Sequence, residues 1–387
     1  MKTIHIRTVC LLLLAGSLVT TTGAQSGHMI VQPAPRVQMA ILLDTSGSMS
    51  GLIDQARTEV WAIVNQFITA TRDGKAPDLQ VALYEYGKSA LPAEKGYIRQ
   101  IVPFTHDLDK ISEELFALKT NGGEEYCGWV IKDAVEGLAW SGVPNDLKVI
   151  FIAGNEPFSQ GPVKYQDACK SAIAKGIVVN TIHCGPENAG VDGKWKDGAL
   201  LADGQFLSID HNRAVVHIAA PQDKELAELG AKLNTTYLAY GRLGRDSAAR
   251  QSAQDMNAAA SSSTVATQRV AAKASFNYRN SAWDLVDALK YENADLSKLK
   301  AEDLPEEMRK MTAEEQKAYV EAKAKERAQI QQQIQQLNDA RTKYVAEQMK
   351  KQAGGAETLG SAIIEAVRKQ AEAKQFKFEH SSSSKVD

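Results

Sequence analysis

The sequence predicts an α/β fold: an open, mostly parallel sheet with helices on both faces, followed by a C-terminal helical, coiled-coil-like region. Three observations predict it. Residues 37–44 (VQMAILLD) and 147–153 (LKVIFIA) are nearly continuous apolar runs, as strands buried on both faces require. Segments with apolar residues at helical spacing alternate with these and with weaker strand-like runs, the pattern of parallel strands joined by crossover helices. Beyond residue 241 strand-like runs cease and Ala, Gln, Glu and Lys dominate.

In order, 37–44 is the first strand. Residues 50–71 place Leu52, Ile53, Ala56, Val60, Ile63, Val64, Phe67 and Ile68 at helical spacing. Residues 79–86 and 97–102 read as strands and 108–118 as a helix, which Asn121-Gly122-Gly123 separates from a second helix at 129–139. The strand at 147–153 is followed by a helix at 165–175 that ends at Gly176, then a strand at 177–183. A polar, glycine-containing stretch leads to a short strand at 205–210, a helix at 224–233 and a closing segment at 236–240. These elements make a Rossmann-like domain over 35–241. Residues 242–280, rich in Ala, Ser, Gln and Thr, are a low-complexity linker or a weak helix. Residues 281–378 form the helical region, with Val320, Ile330, Ile334, Leu337 and Tyr344 in a sparse stripe near the heptad period. Gly354-Gly355 breaks that pattern before a last helix carrying Leu359, Ile363, Ile364 and Val367. Such an arm either packs within one chain or assembles chains, and the tail at 379–387 is expected to be disordered.

Composition narrows the function. The 387 residues carry a formal net charge of -2, which argues against a basic nucleic-acid stripe, and 44% hydrophobic content argues against general disorder. Lys2 and Arg7 precede an apolar run at 9–15 that leads to small residues ending at Ala24, so 1–24 reads as a cleaved signal peptide and the protein as secreted or periplasmic. The run is too short for a membrane span, and no other segment approaches 18 apolar residues. Removing the signal leaves Cys127, Cys169 and Cys184. In an oxidising compartment an odd count implies one bridge plus a free thiol, or an intermolecular bond, and all three pairings are open.

The chemistry concentrates after the first strand, at Asp44-Thr45-Ser46-Gly47-Ser48. Ligands of open α/β sheets sit beyond the carboxyl ends of the strands. One carboxylate and two hydroxyls at alternate positions suit a hard divalent ion such as Mg²⁺, with Mn²⁺ or Ca²⁺ as alternatives. The competing reading makes Ser48 or Ser50 a helix cap. AILLDTSGSMSGLIDQAR resembles the first strand, metal loop and first helix of the von Willebrand factor type A family, a resemblance covering roughly 36–240. It implies a metal-ion-dependent adhesion site in which Ser46 and Ser48 bind the cation directly and Asp44 acts through water. It also implies that an acidic side chain of a protein ligand completes the shell, in a binding module and not a catalyst.

Two loops depart from the family pattern. Where a Thr commonly follows a glycine pair, Gly122-Gly123 is followed by Glu124-Glu125. Where an Asp follows the strand, Gly154 stands, leaving Asn155 and Glu156 as the nearest oxygen donors. One acid is lost and at least one gained, so Glu124, Glu125 and Asn155 are expected in a rearranged shell, the alternative being that the acids cap the next helix. Gly87-Lys88-Ser89 lacks the first glycine of a phosphate loop, since Ala82 stands there. His106, His183, His211 and His217 stand at no recognisable spacing from a nucleophile. The competing functions are a metal-assisted hydrolase, which would recruit Glu156 or His183, and an envelope protein with a vestigial metal site.

Overall fold

The computed structural model describes residues 34–212, 215, 217–292, 294–351 and 358–378. The expected signal peptide and the tail at 379–387 lie outside the described residues. Strand β1 (Arg36–Asp44) leads to α1 (Ser50–Asn65), β2 (Ala70–Thr71), β3 (Asp78–Tyr86) and β4 (Ile98–Thr105). Then come α2 (Leu108–Ala117), α3 (Cys127–Gly137), β5 (Leu147–Gly154), α4 (Tyr165–Ala174) and β6 (Val178–Cys184). The polar stretch after β6 folds into two short helices, α5 (Glu187–Asp192) and α6 (Trp195–Leu200), ahead of β7 (Phe206–Ile209) and α7 (Asp223–Asn234).

The six-stranded sheet has the order β4-β3-β1-β5-β6-β7. All pairs are parallel except β3 with β4 at one edge. Because strand side chains alternate, β1 feeds two cores. Val37, Met39, Ile41 and Leu43 pack on one face with α1 and α2, while Ala40 and Leu42 pack on the other with α3 and α4. β1 lies between β3 and β5, so the strand order reverses there and a crevice opens beyond its carboxyl end.

Beyond residue 241 the chain is helical and packs within the molecule, one of the two alternatives the sequence left for each segment. Residues 242–280 hold α8 (Gly244–Ser261) and α9 (Ser263–Lys273), and Ala258, Val265, Ala272 and Tyr278 join the same core as α1. Short α10 (Leu285–Tyr291) precedes α11 (Ala313–Lys351), a 39-residue helix. Its Ile330 and Ile334 pack on Leu226, Leu229 and Leu233 of α7, and Val320 packs on Leu285 and Val286 of α10. Helix α12 (Leu359–Ala373) then returns to the sheet, burying Ile363, Ala366 and Val367 in the first core, and β8 (Lys377–Phe378) pairs with β2. One face of the sheet is thus completed by chain from far downstream, and Val320, Ile330, Ile334 and Leu337 of the heptad-like stripe pack within the molecule. Segment 236–240 does not extend the sheet; Ala239 makes a single bridge to Asp284. Among the described residues no helix is long and apolar enough to cross a membrane.

The expected disulfide is not formed. Cys127, Cys169 and Cys184 are all free and buried. Cys184 packs in the core on the α1 face, whereas Cys127 and Cys169 pack on the opposite face, so the sheet separates Cys184 from the other two.

Candidate functional site

Asp44 is the last residue of β1 and is wholly buried. The chain turns back over it, so the Ser46 backbone N–H donates to its Oδ1 at 2.7 Å, while Oδ2 has no hydrogen-bond partner. The turn is anchored from both sides. The Thr45 N–H donates to the Tyr86 carbonyl at 2.8 Å, and the Asn121 N–H donates to the Thr45 carbonyl at 3.0 Å. The Thr45 hydroxyl donates to buried Glu85 at 3.2 Å. Ser46 is buried beside Asp44 and Ser48 is exposed. Helix α1 takes Met49 as its N-cap, with no side-chain capping bond. The serine hydroxyls therefore do not serve as its cap.

The glycine pair brings a second loop against the first. The Ser89 N–H donates to the Gly122 carbonyl at 2.5 Å, and a Cβ at Gly123 would stand 2.2 Å from the Gly87 carbonyl oxygen. Gly87 has φ +81°, and a Cβ there would meet Glu125 Cγ at 2.8 Å and Asp44 Oδ1 at 2.9 Å. Glu125 and Asp44 thus close in over a residue that must be glycine. The two acids that follow the glycines divide. Glu125 is buried at the site, its N–H donating to Gln160 Oε1 at 2.9 Å. Glu124 is exposed and accepts from Gln160 Nε2 at 3.4 Å. Helix α3 takes Tyr126 as N-cap with no side-chain capping bond and no acid in its first turn, so neither glutamate caps it.

Gly154 ends β5, and Tyr86 explains the absence of a side chain there. The Tyr86 hydroxyl donates to the Ala153 carbonyl at 3.0 Å. A Cβ at Gly154 would stand 2.5 Å from that hydroxyl and 3.0 Å from Asp44 Oδ2. Asn155 is half-buried; its Nδ2 donates to Ser48 Oγ at 3.4 Å, and its Oδ1 is buried without a partner. Glu156 is exposed on the same loop.

The geometry shifts both inner acids. Burial raises the Asp44 carboxyl to about 6; the Ser46 hydrogen bonds partly offset this and the charge of Glu156 adds to it. Burial, then the charges of Asp44 and Glu156, raises Glu125 to about 7. Among the described residues no three His, Cys, Asp or Glu side chains form a metal-holding group. The oxygen donors gathered here are of three kinds: carboxylates of Asp44 and Glu125, hydroxyls of Ser46 and Ser48, and the amide of Asn155.

Sequence reasoning missed Tyr86 and Gln160. Tyr86 had a usable signal, since it ends β3 directly opposite Asp44 in the register. Gln160 had none; it acts through a fold-back that joins two distant loops. His183 lies buried at the end of β6, its ring 5.7 Å from that of Trp195.

No protein-family profile matches the chain, and no curated protein matches it. Several solved structures do. Proximal thread matrix protein 1 from the mussel byssus, with a zinc-occupied MIDAS motif, is 12% identical at TM-score 0.35, covering 45% of this chain and 42% of that one. BatB from Bacteroides thetaiotaomicron is 15% identical at TM-score 0.34, covering 45% and 90%. The SpRpn10 VWA domain is 17% identical at TM-score 0.33, covering 48% and 100%. The match thus spans less than half of the mussel protein's own length. It is the strand order, the helices on both faces and the D-x-S-x-S turn at the tip of the central strand that define the architecture. The chain has an open, mostly parallel α/β sheet with helices on both faces, followed by a helical region, the architecture that the resemblance to the von Willebrand factor type A family implies.

Proposed function

We propose that the protein is a non-enzymatic binding module that engages a protein partner through one divalent cation at the carboxyl edge of its sheet. Asp44 and Glu125 would supply two carboxylates, Ser46 and Ser48 two hydroxyls, and Asn155 a neutral oxygen. One observation carries this reading: Asp44 Oδ2 and Asn155 Oδ1 are buried without partners at the head of the central strands. A buried oxygen left unpaired is costly, and a cation removes the cost. The upward shifts of Asp44 and Glu125 support it, because a divalent charge between them would relieve the burial and repulsion that cause those shifts. An all-oxygen donor set suits Mg²⁺ first and Mn²⁺ or Ca²⁺ next. The two glutamates do not share one role: Glu125 belongs to the inner set, and exposed Glu124 to the rim.

The test is calorimetric titration of the protein with Mg²⁺, Mn²⁺ and Ca²⁺ beside a Ser46→Ala, Ser48→Ala variant. Saturable binding to the parent that weakens at least tenfold in the variant is the expected result. Equal binding, or none to either protein, would overturn it.

A further inference from the structure

The crest of the sheet carries more negative charge than one divalent ion matches. Asp44 and Glu125 already balance a charge of +2. Glu124 and Glu156 stand exposed on the two loops that flank Asp44, and both act electrostatically on Glu125. Among the described residues none of these four carboxylates forms an ion pair. Two basic side chains of the β3–β4 edge turn to another acid: Arg99 lies 2.5 Å and Lys88 3.9 Å from the carboxylate of buried Glu85. The two exposed acids, Glu124 and Glu156, therefore keep a charge of about -2 on the rim with the ion bound, and Asp44 and Glu125 add to it without the ion. An approaching carboxylate meets repulsion from this rim and a metal already neutralised by two acids.

A second feature adjoins the rim. Tyr126, next to Glu125, stacks on Trp129 with ring centroids 6.3 Å apart and planes 3° apart, and meets Tyr97 edge-on at 5.8 Å. All three rings are half-buried. Gly161, at φ +90°, brings its loop against Tyr126, where a Cβ would stand 2.5 Å from the ring. Aromatic faces beside carboxylates favour an ammonium or guanidinium group. Asp44, between the two loops that carry Glu124 and Glu156, keeps a wholly buried carboxylate oxygen without a partner, which also calls for positive charge.

We infer that the crest seats a basic side chain, Lys or Arg, of a protein partner on the rim carboxylates Glu124 and Glu156 beside the ring of Tyr126, in place of the acidic residue that the family resemblance implies. This rests on the binding-module reading but not on the cation, because the rim is negative with or without it.

The experiment measures binding of two dye-labelled, end-blocked peptides, pentalysine and pentaglutamate, to the full chain by fluorescence anisotropy, in saturating Mg²⁺ and again in chelator. Pentalysine is expected to bind and pentaglutamate not. A Glu124→Gln, Glu156→Gln variant should lose at least tenfold in pentalysine affinity and Tyr126→Ala at least threefold, while a remote control, Glu302→Gln, Glu307→Gln, should lose less than twofold. Mg²⁺-dependent binding of pentaglutamate would overturn the inference. So would pentalysine binding that survives the rim substitutions or falls equally in the remote control. Failure of the cation reading is separable: it appears as absent Mg²⁺ heat in calorimetry, with the pentalysine preference intact in chelator.

Discussion

Asp44 and Glu125 are acids held where ionisation is unfavourable, and the consequence has a definite sign. Their folded-state values, about 6 and about 7, lie above the ordinary 3.8 and 4.5. Between these limits the folded state binds more protons than the unfolded one, so cation-free stability falls as pH rises from about 4 to about 7. At roughly 1.4 kcal/mol per pKa unit, Asp44 alone contributes a loss on the order of 3 kcal/mol. Divalent ions must displace those protons, so Mg²⁺ affinity should rise about tenfold or more between pH 5.5 and 7.5, read by calorimetry at the two pH values. Asp44→Asn should raise cation-free stability at pH 7.5 by about 1–3 kcal/mol and abolish any Mg²⁺-dependent rise in Tm, both read in one melting series. A lower cation-free Tm would contradict the burial argument. Gly154 makes a second residue-scale case. Its replacement by Ala forces a methyl onto the Tyr86 hydroxyl and Asp44, which should cost about 1–3 kcal/mol in urea unfolding and weaken Mg²⁺ binding together. The Asp that the family resemblance implies at this place is thus excluded by a tyrosine two strands away, a relation that a linear reading of Gly154 does not expose.

At the scale of elements, α8 and α9 show why a helical layer can read as a linker. Their inward positions are Ala, Gln, Thr and Ser with Gly244, Arg269 and Lys273, and Val265 alone among them is a larger apolar residue, so there is no apolar stripe for periodicity to detect. Polar contacts hold them instead. Arg269, 1% exposed, donates to Asp109 of α2 at 2.6 Å and to Asp255 of α8 at 2.5 Å, and lies 4.7 Å from the centre of the Trp61 ring. Tyr278 donates to the other oxygen of Asp109 at 2.5 Å, and Gln254 accepts from Ser112 at 2.9 Å. Removing one partner of such a buried pair leaves a carboxylate uncompensated, so Arg269→Met should lower urea stability by about 3–5 kcal/mol. Helix α12 is held by both kinds of contact. Its first turn is received by Glu59 of α1, which accepts from the Gly360 N–H and the Thr358 hydroxyl, each at 2.6 Å. Its Ile363 is fully buried in the sheet core, and Ile363→Ala should cost about 2–5 kcal/mol by the same measurement. The periodicity of Leu359, Ile363 and Val367 was legible in the sequence; the surface that receives it, some 300 residues upstream, was not.

At the scale of the molecule, the helical region completes the α/β domain and does not stand apart as an arm. Arg327 of α11 donates to both oxygens of Asp284, at 2.6 and 3.0 Å, to Asp287 at 3.0 Å and to the Thr236 carbonyl at 2.6 Å. Arg341 donates to Asp223 at the start of α7 at 2.7 Å. A chain ended after residue 351 loses α12 and β8, and with them Leu359, Ile363, Ala366 and Val367 of the first core. It should melt at least 10 °C lower than the full chain by circular dichroism, and an unchanged melt would show that the sheet stands without them. The sequence by itself determined the central strands, the crossover helices and the turn that carries Asp44, Ser46 and Ser48. Those features are local: apolar runs and short-range turn chemistry write them into a few consecutive residues. Only the tertiary structure decided that Glu125 points inward and Glu124 outward, that Tyr86 keeps Gly154 bare, that the cysteines remain thiols, and that the C-terminal helices finish the sheet. Each of these depends on which distant surfaces compete for the same space and the same hydrogen bonds. Spacing along the chain does not encode that.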